Sequence, residues 1–141
     1  MKKILIIDDD HHILMMIKKM LERAGFEVDL ASNGVNGLEL FKQIQVDLVI
    51  TDIIMPEKEG LETIREMKRL RSDLKVIAMS GGGRISANNY LESAKIFGAS
   101  RVIQKPFSQK VMLDAVIDLL GEPSGDNSNI GKASNESGLE K

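Results

Sequence analysis

Three consecutive aspartates, Asp8, Asp9 and Asp10, follow directly on the apolar run Ile4-Leu5-Ile6-Ile7, and a fourth, Asp52, follows directly on Val49-Ile50-Thr51. Two carboxylates about 4 Å apart at an effective dielectric near 20 repel by roughly 4 kcal/mol, a large share of a domain's net stability. A hard divalent cation resolves that conflict. An all-oxygen donor set without His or Cys favours Mg²⁺, or Mn²⁺ in its place. Mg²⁺ typically takes one or two protein carboxylates together with a phosphate oxygen, so the ligand missing from the set points to phosphate. Asp10 stands where helical periodicity begins and is expected to cap that helix instead.

Two further groups occupy equivalent places. Ser80 closes the run Val76-Ile77-Ala78-Met79, and Lys105 closes Arg101-Val102-Ile103-Gln104. A lysine point charge neutralises one phosphoryl oxygen and a hydroxyl donates to another, which gives the set an acidic metal side and a donor side. Taken singly, Ser80 is an ordinary turn residue and Lys105 a solvated surface lysine; jointly, at the ends of two strands, they read as a phosphoryl pocket. His11 and His12 do not join it, because neighbours on a helix point about 100° apart and do not share one ion. They are expected to be exposed in the first helical turn.

These residues need a scaffold that gathers strand ends. Ile4 to Ile7, Val28 to Ala31, Asp47 to Thr51, Val76 to Met79 and Arg101 to Gln104 read as strands. Between and after them run five apolar stripes of helical spacing: Ile13, Ile17, Met20, Leu21, Ala24; Val35, Leu38, Phe41, Ile44; Leu61, Ile64, Met67, Leu70; a weaker one at Leu91, Ala94, Phe97; and Val111, Ala115, Val116, Leu119. The near-continuous apolar strands are those of a parallel sheet buried on both faces, and Val28-Asp29-Leu30 alternates as an edge strand does. Gly25 and Gly98 follow helices at left-handed positions, and Asn33 and Ser108 are placed as N-caps. The fold class is α/β: five parallel strands in the order 2-1-3-4-5 with helices on both faces. In that order strands one and three meet at the topological switch point, where ligands bind outside the carboxyl ends of the strands. Asp8 or Asp9 then faces Asp52. Most of the eight methionines lie in helical stripes or in the fourth strand and read as core filler.

The chain has 141 residues, enough for one sizeable core. Residues 1–120 are expected to form that domain, and 121–141 a disordered polar tail or the start of a linker, since Ile130, Ala133 and Leu139 are its only apolar residues beyond position 123 apart from glycines. Lys and Arg total 19 against 21 Asp and Glu, a net charge of −2 that argues against direct nucleic-acid or anionic-membrane binding. The absence of cysteine excludes a disulfide framework, a thiolate zinc site and a cysteine nucleophile, and a cytoplasmic location is the expectation. The apolar run after Met1-Lys2-Lys3 is too short for a signal sequence.

The strand followed by Asp8-Asp9, the segment Asp52-Ile-Ile-Met55-Pro56-Glu-Lys-Glu-Gly60, Ser80 after the fourth strand, and Lys105-Pro106-Phe107 together resemble the receiver domain of bacterial two-component response regulators, of the single-domain chemotaxis-regulator kind, with its flavodoxin-like (βα)5 fold. The resemblance covers about residues 1 to 120. It implies that Asp52 is the phosphoacceptor, phosphorylated from a phosphohistidine on a sensor histidine kinase or a histidine phosphotransfer protein. It also implies that Asp8, Asp9, Asp52 and the backbone carbonyl of Ile54 hold Mg²⁺, and that Ser80 and Lys105 bind the phosphoryl oxygens. Pro106 in such domains follows a cis peptide bond. The output partner is an unidentified protein, met through a face made of the fourth helix, the fifth strand and the last helix.

The sequence departs from that pattern in three places. The coupling position three residues before the lysine is Val102 where an aromatic is usual, so output through a rotamer change there has little surface to expose. Gly81-Gly82-Gly83 follow Ser80, and a phosphoryl contact that freezes their backbone freedom is the expected substitute switch. Ile54 and Gly82 stand where the family places side chains that affect hydrolysis, and neither offers a hydrogen bond to water.

Three other functions compete. A phosphorylation-independent interaction module on the same fold is favoured by Val102 and disfavoured by the complete acidic and lysine set. The chain also reads as the N-terminal fragment of a longer regulator or of a hybrid kinase. A haloacid-dehalogenase-type phosphatase would need a second aspartate two residues after Asp52, and Ile54 is there instead.

Overall fold

A computed structural model describes residues 1–53, 60–81 and 98–123. Its strands are β1 (Lys3–Ile7), β2 (Glu27–Ala31), β3 (Leu48–Asp52), β4 (Lys75–Gly81) and β5 (Arg101–Lys105), and its helices are α1 (His11–Arg23), α2 (Gly34–Gln43), α3 (Gly60–Leu70) and α4 (Gln109–Leu120). All pairings are parallel and the order is β2-β1-β3-β4-β5. That is the expected sheet.

Alternate residues of the same strands feed two separate cores, which is why the strands read as unbroken apolar runs. Leu5, Ile7, Val49, Val76 and Ala78 pack with Leu38, Phe41, Ile64 and Met67 on the α2–α3 face. Ile4, Ile6, Ile50, Ile77 and Met79 pack with Ile17, Leu21, Met112 and Val116 on the α1–α4 face. Among the methionines, Met20, Met67, Met79 and Met112 are buried.

The local punctuation follows the sequence. Asp10 caps α1, its Oδ1 accepting from the N–H groups of His12 at 2.9 Å and Ile13 at 3.4 Å. Asn33 caps α2 and Ser108 caps α4 in the same way. Gly25 and Gly98 adopt φ of 104° and 110°, which a side chain would strain.

Several boundaries differ from the expected ones. β3 starts at Leu48, because Asp47 turns its Oδ2 to the N–H of Lys3 at 2.8 Å. At the other end β3, β4 and β5 run on to include Asp52, Ser80 and Lys105. The chemistry-bearing residues therefore stand on strands, which hold a side chain more tightly than loops do. Val35, Leu70 and Val111 were expected in the apolar stripes but are exposed, since each lies in the first or last turn of its helix, past the cover of the sheet. Leu14 and Met112 are buried in phase with their stripes instead.

The expected fourth helix with Leu91, Ala94 and Phe97, the positions Ile54, Met55, Pro56, Gly82 and Gly83, and the tail from residue 124 lie outside the described residues. Among the described residues no helix is long and apolar enough to cross a membrane.

Candidate functional site

The three consecutive aspartates part company as β1 ends. Asp8 continues the strand direction, its N–H donating to the Ala31 carbonyl at 3.2 Å, and its side chain is fully buried. Its Oδ1 accepts the N–H of Asp10 at 2.8 Å, which fixes the carboxylate against its own backbone. Asp9 is exposed at the rim of the same edge, while Asp10 turns back to cap α1. Asp52, the last residue of β3, is buried, and since β3 pairs with β1 its carboxylate comes to the same edge.

The result is a cluster in which Asp8, Asp9 and Asp52 each offer a carboxylate oxygen within 4.8 Å of the others. Lys105, the last residue of β5, reaches across the end of β4 to join it. Its Nζ donates to Asp8 Oδ2 at 2.7 Å and to Asp52 Oδ2 at 3.4 Å. Three carboxylates against one amine leave a formal charge of −2, with Asp8 and Asp52 buried and Asp9 at the solvent side.

Burial and the neighbouring groups both act on the protonation equilibria. Burial pushes the Asp8 carboxyl above the usual range, although the Lys105 amine and the Asp10 N–H pull the other way. For Lys105, burial works against the charged amine, but the hydrogen bond to Asp8 and the charges of Asp52 and Asp8 outweigh it and hold the amine above its ordinary value. A divalent cation matches the deficit of two, and an all-carboxylate donor set suits Mg²⁺ by ligand chemistry. The residues present fit that ion.

Ser80 is buried on β4, beside Gln104 in register, and Gly81 stands beside Lys105. The sheet thus brings Asp8, Asp52, Ser80, Gly81 and Lys105 to one edge. Val102 lies deeper on β5, opposite Ala78, half-buried against the α2–α3 core. His11 and His12 are exposed, as expected. The Lys105–Pro106 peptide is cis.

Two features escaped the sequence. A mostly apolar cavity of about 510 Å³ lined by Ile13, Met16, Gly81, Lys105, Pro106 and Phe107 opens beside the lysine; the Pro106-Phe107 pair after Lys105 was its signal. Behind Asp52, Thr51 and Gly60 contact its backbone, a relationship that leaves no trace in residue pattern.

Comparison with known proteins agrees with this fold. The family model for the response regulator receiver domain matches residues 4–117. The chemotaxis protein CheY of Bacillus subtilis is 37% identical over 115 residues, covering 81% of this chain and 93% of that protein. A receiver domain structure from Clostridium thermocellum superposes with a TM-score of 0.78 at 34% identity, covering 85% of this chain and 94% of the other. Response regulator TrrA from Thermotoga maritima, solved in complex with Mg²⁺ and BeF, superposes with a TM-score of 0.74 at 33% identity, covering 84% and 99%.

Proposed function

The chain belongs to the response regulator receiver domain family, signalling modules of two-component phosphorelays that accept a phosphoryl group on an aspartate, and we propose that the acceptor here is Asp52. The observation that carries this assignment is the convergence of Asp8, Asp9 and Asp52 from two strand ends with Lys105 seated among them.

The donor is a phosphohistidine of a sensor histidine kinase or of a histidine phosphotransfer protein. An Asp52 carboxylate oxygen attacks phosphorus, the P–O bond forms as the P–N bond breaks, and the imidazole leaves with its electron pair and takes a proton. Asp8 and Asp9, with Asp52 and the carbonyl of Ile54, would hold Mg²⁺, or Mn²⁺ in its place. The bound ion supplies charge neutralisation for the transferring phosphoryl group. Lys105 exchanges its hold on Asp8 for a phosphoryl oxygen, and the Ser80 hydroxyl donates to another. Asp52 is held in line by the sheet, so positioning and charge do most of what this reaction requires. On this reading the chain acts on its own aspartate and on no outside substrate.

The phosphorylated state is then read by an output protein on a face that includes β5 and α4. A groove of about 490 Å³ there, lined in part by Val102, Ile103, Val111 and Ala115 and rimmed by the ion-paired Arg101 and Asp118, is consistent with such a use. A second reading, a receiver fold that binds its partner without phosphorylation, is favoured by one observation: Val102 is a small aliphatic residue half-buried against the α2–α3 core where the family's coupling aromatic is usual.

Incubating the full chain with acetyl phosphate and Mg²⁺ separates the two. Addition of one phosphoryl group by intact mass, lost in Asp52→Ala, supports the first; no adduct from acetyl phosphate or phosphoramidate supports the second.

A further inference from the structure

The peptide group that follows Asp52 is held on every side. Its carbonyl, that of Asp52, accepts from Thr51 Oγ1 at 3.0 Å. Its N–H, that of Ile53, donates to the Met79 carbonyl at 3.0 Å. Gly60, the first residue of α3, donates its N–H to the Ile53 carbonyl at 3.1 Å. The approach is so close that a Cβ on residue 60 would lie 1.9 Å from the Asp52 carbonyl oxygen and 2.6 Å from Ile53 Cα. Backbone atoms cannot give way as a flexible side chain can. Thr51 is fully buried, on the strand face it shares with Val49, so its hydroxyl serves the backbone and not solvent.

This restraint has a physical purpose. Asp52 stands at the end of β3, and its carboxylate is repelled by two others within 4.8 Å. Rotation of the 52–53 peptide would swing the Asp52 Cα–Cβ bond and let the carboxylates splay. Pinning both ends of that peptide keeps the oxygens converged before any cation arrives.

We propose that Thr51 and Gly60 are positioning residues for phosphoryl acceptance: the Thr51 hydroxyl and the bare Cα of Gly60 clamp the Asp52 carbonyl and so aim the Asp52 carboxylate. The inference rests on Asp52 as acceptor. Neither residue touches the phosphoryl group; both act through the backbone, as outer partners of metal ligands act through the ligands they orient.

The test uses the full chain as wild type, Thr51→Val, Thr51→Ser and Gly60→Ala. It measures Mg²⁺ affinity by isothermal titration calorimetry, the rate of phosphoryl addition from acetyl phosphate, and the melting temperature in EDTA. Thr51→Val keeps the shape and removes the donor; it weakens Mg²⁺ binding and slows phosphorylation by about tenfold or more, while still melting cooperatively in EDTA. Thr51→Ser retains a hydroxyl and restores both properties to near wild type, a rescue that a purely structural role would not give. Gly60→Ala moves them in the same direction; should it fail to fold, the Thr51 pair decides. Thr51→Val matching wild type, or Thr51→Ser as impaired as Thr51→Val, overturns the clamp. A wild-type chain that neither binds Mg²⁺ nor accepts a phosphoryl group defeats the assignment of Asp52 itself.

Discussion

Lys105 Nζ donates to the fully buried Asp8 at 2.7 Å, closer than its 3.4 Å approach to Asp52. The amine is thus the counter-ion of a metal-ligand candidate first and a neighbour of the acceptor second. It covers one of three negative charges, and the remaining deficit organises the expected behaviour of the site.

Replacing Asp8 with Asn removes a carboxylate that burial disfavours in its ionised form. The metal-free chain becomes more stable at pH 7, by about 1 kcal/mol, an ordinary size for a single substitution. Added Mg²⁺, which stabilises the wild type, stabilises the variant much less. Urea unfolding in EDTA and in MgCl₂ reads both effects.

The same burial sets a pH dependence. A carboxyl whose folded value lies above its unfolded one favours the fold below the unfolded value, and that contribution is lost as pH rises through the folded value. Metal-free stability attributable to Asp8 therefore increases as pH falls toward 3.8, opposite to an aspartate whose carboxyl is held below its ordinary value, and Asp8→Asn abolishes the increase. Lys105, also raised, contributes stability that is present below 10.5 and lost only above its folded value, so it adds no slope near neutrality. Denaturation midpoints in EDTA from neutral pH down toward 3.8, in both proteins, isolate the Asp8 limb.

Mg²⁺ at 100 times its dissociation constant should stabilise the wild type by about 2.7 kcal/mol through linkage alone. Asp9→Ala, at an exposed position, should cut that gain while leaving the EDTA midpoint nearly unchanged. Thermal melts across a Mg²⁺ series check it.

Lys105→Met removes a cation that competes with the metal for Asp8 Oδ2. Mg²⁺ binds the variant at least as tightly as the wild type. Phosphorylation by acetyl phosphate falls by about 10²-fold, the scale for losing one donor to a developing oxyanion. Calorimetry and intact mass give the two halves separately.

Much of this is legible in the sequence. Strands buried on both faces must read as aliphatic runs, and the residues that end them, Asp8, Asp52, Ser80 and Lys105, inherit the ligand edge of a parallel sheet. The division of labour within Asp8-Asp9-Asp10 was only partly legible. Cap position singles out Asp10, but whether Asp8 or Asp9 turns inward depends on how β1 leaves the sheet. The Asp8–Lys105 bond spans 97 residues and carries no local signal. The Thr51 hydroxyl bond was hidden because a threonine within a strand is fully explained by β-propensity. Stripe ends such as Val35 and Val111 misled because helical periodicity does not say where the sheet stops covering the helix.

The central claim is that three carboxylates share one cation beside Lys105. A crystal structure of the full chain grown with MgCl₂ and beryllofluoride tests it most directly. The account predicts one ion with oxygens of Asp8, Asp9 and Asp52 around it, its direct ligands at about 2.0–2.1 Å, beryllofluoride on Asp52, and Lys105 Nζ moved from Asp8 onto a fluorine. Carboxylates splayed apart with no ion between them, and Lys105 still seated on Asp8, would contradict it.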